Sequence, residues 1–211
     1  MTAPVTQSAV QAADTPKNGL QRFGQALMDI SAWPGKMSSW LIFPIIFCVM
    51  AAVVGGIFRL SQLASWGTPV LLFGDQLNII GLVELQWHLL AVMVMLGGSY
   101  ALNEDRHVRV DMIYGKVSPR WRATIDALGD LIFLLPFCAL IAWLSLRFVD
   151  MSFKSGERSD YGGLTDRYLV KSIIPIGLGL LFLTGVGRVL RSIGLLISGD
   201  PSKRQRSSNN G

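Results

Sequence analysis

Long uncharged runs alternate with short polar stretches along this chain. Leu41–Phe58 is eighteen residues without a charge. At about 1.5 Å per residue it reaches roughly 27 Å, close to the thickness of a hydrocarbon core. Pro44 falls in its first turn, where a missing N–H costs little, and Arg59 closes it. A second run begins near Leu82 and ends near Leu102. A third covers Leu131–Leu146 and holds Pro136, a predicted kink. A fourth starts near Leu169 and is continuous from Ile173 to Gly187. Ahead of them all, Leu20, Phe23, Leu27 and Ile30 recur at helical spacing with Gln21, Arg22, Gln25 and Asp29 between them, up to Pro34-Gly35. That spacing predicts an amphipathic helix. It either lies flat in the membrane interface or packs on a partner's surface.

The pattern predicts an all-α integral membrane protein with four transmembrane helices and an N-terminal interfacial amphipathic helix. The expected order is a disordered tail over 1–18, the amphipathic helix over 20–35, a four-helix membrane domain over 40–196, and a disordered basic tail over 197–211. The spans are expected at about 40–58, 82–102, 128–148 and 169–190. Residues 60–81 read as a loop. Its apolar stretch Pro69–Phe73 is too short to cross and is expected at the outer surface or against a partner. Ser118-Pro119 reads as the N-cap and first residue of a helix. Trp121, Ile125 and Leu128 follow on one face, and Arg120 and Arg122 are placed to reach lipid phosphates. Residues 150–168 read as a polar loop holding Gly156, Gly162 and Gly163. Gly97-Gly98-Ser99 would admit another helix closely. Arg188 and Arg191 can snorkel from the end of the fourth span.

Charge gives the orientation. Arg106, Arg109, Lys116, Arg120 and Arg122 lie between spans two and three, against Arg59 alone between spans one and two. The positive-inside bias therefore puts both termini and the 103–127 loop in the cytoplasm. Composition agrees with a membrane protein: 51% hydrophobic and 16% charged in 211 residues, with mean hydropathy +0.44. Soluble domains carry about 25% charged residues. The net charge of +5 is dispersed over loops and tails, which is no signature of nucleic-acid binding. Cys48 and Cys138 lie inside apolar runs, outside any CxxC pair, and read as small core residues. Residues 1–19 do not form a secretory signal, being polar ahead of a first apolar run that starts near Trp40.

Few residues offer chemistry. Glu84 and His88 sit one turn apart at the start of span two, beside Trp87. An ionisable residue in a span is a functional candidate, although at this depth Glu84 also reads as solvated and Trp87 as an interface anchor. His88 and His107 are the only histidines. On one helix they would stand about 28 Å apart, too far to share a haem. No ligand spacing suits zinc. Asp126 and Asp130 lie near the inner end of span three, with Arg122 one turn before Asp126 as a local ion-pair partner. No nucleophile–base pair or phosphate loop accompanies them, so no enzyme activity, cofactor or metal is expected.

The most informative stretch is Leu85–Asp111. Its apolar part runs directly into Asn103-Glu104-Asp105-Arg106-His107-Val108-Arg109-Val110-Asp111. Val alternates there with charge, as though one side were buried and the other paired. With four spans, Glu84 and Trp87 opening span two, and the His107-Val108-Arg109-Val110-Asp111 run after it, the chain resembles the small membrane subunit of tripartite ATP-independent periplasmic (TRAP) transporters, DctQ-like, over roughly residues 40–195. The loop between spans one and two departs from the family in being long and apolar.

The resemblance implies a bacterial inner-membrane complex. Its other members would be a periplasmic solute-binding protein and a large many-span permease subunit driven by an ion gradient, usually sodium, with an organic acid the common solute. The small subunit would be a scaffold. Glu84, Trp87, His107, Val108, Arg109, Val110 and Asp111 would then secure helix ends and subunit contacts. The chain also lacks the broken helices, internal repeat and midplane polar cluster of a complete transporter. Two alternatives remain: the membrane anchor of a redox enzyme, with His88 at its centre, and a homo-oligomeric channel, which the apolar spans disfavour.

Overall fold

The computed structural model describes residues 19–104 and 119–197. The expected tails and the His107–Asp111 run lie outside the described residues. In chain order come α1 (Gly19–Ser38), a 3₁₀ turn (Ser39–Leu41), α2 (Ile42–Ile57), β1 (Gln62–Val70), β2 (Gly74–Asn78), α3 (Ile79–Asn103), α4 (Pro119–Gly129), a π-helical turn (Asp130–Leu134), α5 (Leu135–Ser155) and α6 (Tyr168–Ile197). Four helical stretches are long and apolar enough to cross a membrane: Gly19–Ile57, Ile79–Asn103, Thr124–Ser155 and Tyr168–Ile197. The expected all-α membrane architecture with four spans is therefore present. Cys48 and Cys138 are buried within it.

Two elements differ from the sequence reading. The helix expected to end at Pro34-Gly35 runs on to Ser38 with Pro34 inside it, and continues through the 3₁₀ turn into α2. Proline is tolerated within helices that pack in membranes because neighbouring groups take over freed backbone partners. The loop expected over 60–81 contains an antiparallel hairpin, pairing Gln62 with Asn78 and Val70 with Gly74. Its turn puts Leu72 in the left-handed region at φ 75°. Trp66 closes the hairpin, donating from Nε1 to Gly74 O at 2.9 Å, with its ring edge-on to Phe73.

Helix packing follows the rule that small residues let backbones approach where no water drives them together. A Cβ at Gly24 would meet Gly187 O at 2.7 Å, and a Cβ at Gly187 would meet Gly24 O at 2.7 Å. This contact joins α1 to α6. Nearby, the Ser31 and Thr184 hydroxyls hydrogen-bond at 2.7 Å, and Ser99 Oγ donates to Ser31 O at 2.9 Å. All three side chains are buried. Hydroxyls thus join α1, α3 and α6 where an aliphatic core would stand in a soluble bundle.

Pro136 is preceded by a π turn. It cannot donate to Ile132 O, and its ring crowds that carbonyl. The helix widens immediately before it into the π turn, where the Leu135 N–H reaches Asp130 O. The α5 helix ends at Gly156, left-handed at φ 60°, as helix C-termini commonly do.

Candidate functional site: the clasp around Glu84

The described chemistry gathers at the end of the bundle where β2 passes into α3. Asn78 is the N-cap of α3, accepting at Oδ1 from the Gly81 N–H at 2.7 Å. Its Nδ2 donates to Gly162 O at 2.7 Å. One side chain therefore starts a helix, ends a hairpin and holds the α5–α6 loop.

Glu84 lies one further turn along α3, and the same loop folds over it. Ser159 Oγ donates to its Oε1. The Leu164 N–H donates to Oε2 at 2.8 Å, and Arg167 Nη2 pairs with Oε1 at 3.4 Å. The Glu84 side chain is 14% exposed. A Cβ at Gly163 would overlap its carboxylate, so the loop approaches this closely only with glycine there. Three donors therefore converge on the carboxylate. It is a structural acceptor rather than a solvated surface acid or a poised base.

A second pair reinforces the loop. Glu157 accepts from Lys171 and from Ser152 Oγ at 2.7 Å. The Lys171 ammonium also stands 4.1 Å from the centre of the Phe148 ring. The hydrogen bond from Lys171 and that from Ser152 hold the Glu157 carboxyl below the usual carboxylate range.

The hairpin tip joins the clasp through two strained residues. Leu72 and Asp166, at φ 75° and 56°, meet where the Thr165 N–H donates to Leu72 O at 2.9 Å and the Leu72 N–H reaches Asp166 Oδ2 at 3.4 Å. A cleft of about 210 Å³ remains between the hairpin around Phe73 and the loop around Thr165.

Trp87 does not join Glu84. It is 65% exposed. His88 turns back on its own helix, with Nδ1 2.5 Å from Glu84 O. At the other end of the bundle, Asp130 pairs with Arg188 of α6 at 3.0 Å, the two side chains being 13% and 15% exposed. The sequence reading had Arg188 snorkelling; the structure turns it inward onto Asp130.

Sequence reasoning singled out Glu84 and noted the loop glycines, but missed Asn78, Ser159, Arg167 and the Glu157–Lys171 pair. Only the Asn78–Gly81 spacing carried a local signal, that of a helix N-cap. The other partners lie far off in the chain.

A family model described as "Tripartite ATP-independent periplasmic transporters, DctQ component" matches residues 72–194, more than half of the chain. The match starts at the hairpin turn and includes every residue of the clasp. No curated protein and no solved structure matches the chain.

Proposed function

This chain belongs to the DctQ-component family of tripartite ATP-independent periplasmic transporters, and from that premise we propose that it is the scaffold on which the large permease subunit works. It is a multi-pass membrane protein and a small permease component. In the proposed complex a periplasmic binding protein delivers an organic acid or similar solute. The many-span subunit carries it across the bacterial inner membrane, driven by an ion gradient. This chain braces that subunit, with both termini cytoplasmic.

The observation that carries the scaffold reading is the pinning of α5 and α6 to each other at both ends. Glu157, just past the end of α5, pairs with Lys171 of α6 at the outer end, where the Glu84 clasp ties the connecting loop to α3; Asp130, in the π turn ahead of α5, pairs with Arg188 of α6 at the inner end. A helix pair locked in this way suits a stator. The hydroxyls inside the bundle bond across helix contacts rather than lining a path. Trp87 and the His107–Asp111 run would contact the large subunit or the headgroup layer around it.

The test is purification of tagged chain from its native membranes in mild detergent, followed by reconstitution. A many-span protein should co-purify, and solute uptake into proteoliposomes should require this chain together with that protein and the binding protein. Full uptake without this chain, or a haem band in the purified sample, overturns the reading.

A further inference from the structure

The faces of α1 are assigned opposite to those of a soluble amphipathic helix. Gln21, Gly24, Met28, Ser31 and Gly35 are buried, whereas Phe23, Ile30, Trp33 and Met37 are exposed. The exposed stripe does not stop with α1. Trp40, Phe43, Phe47, Met50, Val54 and Ile57 continue it through the 3₁₀ turn and along α2 at steps of three or four residues. Such steps keep one face of a helix. The whole stretch Gly19–Ile57 is 39 residues, or about 58 Å at 1.5 Å per residue, against a hydrocarbon core of about 30 Å.

Contacts along α1 give its depth. Near its C-terminus, a Cβ at Gly35 would meet Leu96 O at 2.5 Å, and Ser31 bonds Thr184 and Ser99. These partners lie within the apolar stretches of α3 and α6, at least a turn inside the polar ends at Asn103 and Arg188. Toward the N-terminus, Asp29 receives Asn103 Nδ2 at 3.3 Å, and Gln21 packs against Gly194. The helix therefore descends along α3 and α6, from their apolar stretches to Asn103 on one and past Arg188 on the other. A helix lying flat has one depth along its whole length.

We infer that α1 is the leaning inner part of the first span, and that its stripe of Phe23, Ile30, Trp33 and Met37 is covered by the acyl chains of the leaflet on the Arg188 side. The occupant follows from continuity: the same exposed stripe runs on along α2, within a stretch long and apolar enough to cross a membrane. Arg22 is exposed at the polar end of α1 and binds headgroup phosphate. Lys36 is exposed higher up. Helical side chains tilt toward the N-terminus, so its stem lies along the apolar face and its ammonium reaches toward the same headgroups. The inference rests on the four-span architecture alone and fails or stands separately from the scaffold reading.

Depth measurement by spin labelling tests it. The full chain, carrying Cys48→Ser and Cys138→Ser, receives one nitroxide at a time through Phe23→Cys, Ile30→Cys, Trp33→Cys or Met37→Cys. Met28→Cys serves as the buried control. Each is placed in nanodiscs of phosphatidylethanolamine and phosphatidylglycerol, and collision with oxygen is compared with collision with a nickel chelate. Oxygen should exceed nickel at 30, 33 and 37 and be low at 28. Immersion should deepen steadily from 23 to 37, positions about 20 Å apart along the axis. Equal depth at all four exposed positions overturns the inference in favour of a flat helix. Loss of oxygen access at 30, 33 and 37 on co-reconstitution with the large subunit overturns it in favour of a protein partner. Because each label sits on an exposed face, any two well-folded variants are enough to read the gradient.

Discussion

The Leu164 N–H donates to Glu84 Oε2 at 2.8 Å across 80 residues of chain. That bond ties the start of α3 to the loop before α6, and Ser159 and Arg167 bind the same carboxylate. Removing it strands a backbone donor and a guanidinium together. Glu84→Ala should therefore lower stability by about 1–3 kcal/mol. Thermal unfolding in detergent would measure the loss, and limited proteolysis should show new cleavage between 157 and 167. An unchanged midpoint would mean that the clasp contributes nothing.

Glycine positions divide by what surrounds them. Gly187→Ala puts a Cβ 2.6 Å from Met28 Cγ and 2.7 Å from Gly24 O, which forces α1 away from α6. Overpacking of this kind costs about 1–3 kcal/mol. Gly97→Ala meets nothing within 4 Å and should be neutral, or stabilising by up to about 1 kcal/mol through helix propensity. Comparing the two midpoints checks both, and equal effects would contradict the close approach.

Asp130→Ala removes the carboxylate that the π turn ahead of α5 presents to Arg188 of α6. Breaking a buried pair costs about 3–5 kcal/mol. The double variant Asp130→Leu/Arg188→Met removes both charges and should recover part of that loss. A double-variant cost equal to the sum of the single ones would show that the residues do not interact.

The Glu157 carboxyl is held low by Lys171 first and Ser152 second. A depressed folded value contributes stability above the unfolded value, about 4.3. That contribution fades as pH falls from there through the folded value. Stability should decline with acid in that window, and Lys171→Met should flatten the decline. Superimposable pH profiles for the parent and Lys171→Met would rule out this linkage.

Arg109→Ala and Asp111→Ala test the junction after α3. Either should reduce co-purification of the large subunit or solute uptake, with solute capture by the binding protein intact. Normal assembly and uptake in both would remove the junction from the subunit interface.

The four spans were legible because apolar runs of fifteen residues or more have few other uses. The hairpin was not legible. Gly67 and Pro69 interrupt Gln62–Val70, so no period of two survives, and pairing with Gly74–Asn78 is what makes it a strand. The periodicity of α1 was readable but its inward face was not. In water the apolar side turns in, whereas among membrane helices Gly24, Ser31 and Gly35 do. Glu84 could be named from its place in a span. Ser159, Leu164 and Arg167 could not, since only folding brings them within reach.

The hydroxyl contact between Ser31 and Thr184 also sets an order of events. These residues are 153 apart. At about 5–20 residues per second of synthesis, Thr184 leaves the ribosome roughly 8–30 s after Ser31. For that interval the buried side of α1 has no completed seat, because α6, which provides part of it, is not yet made. Translated ahead of both helices it packs on, α1 completes its docking only when α6 has followed.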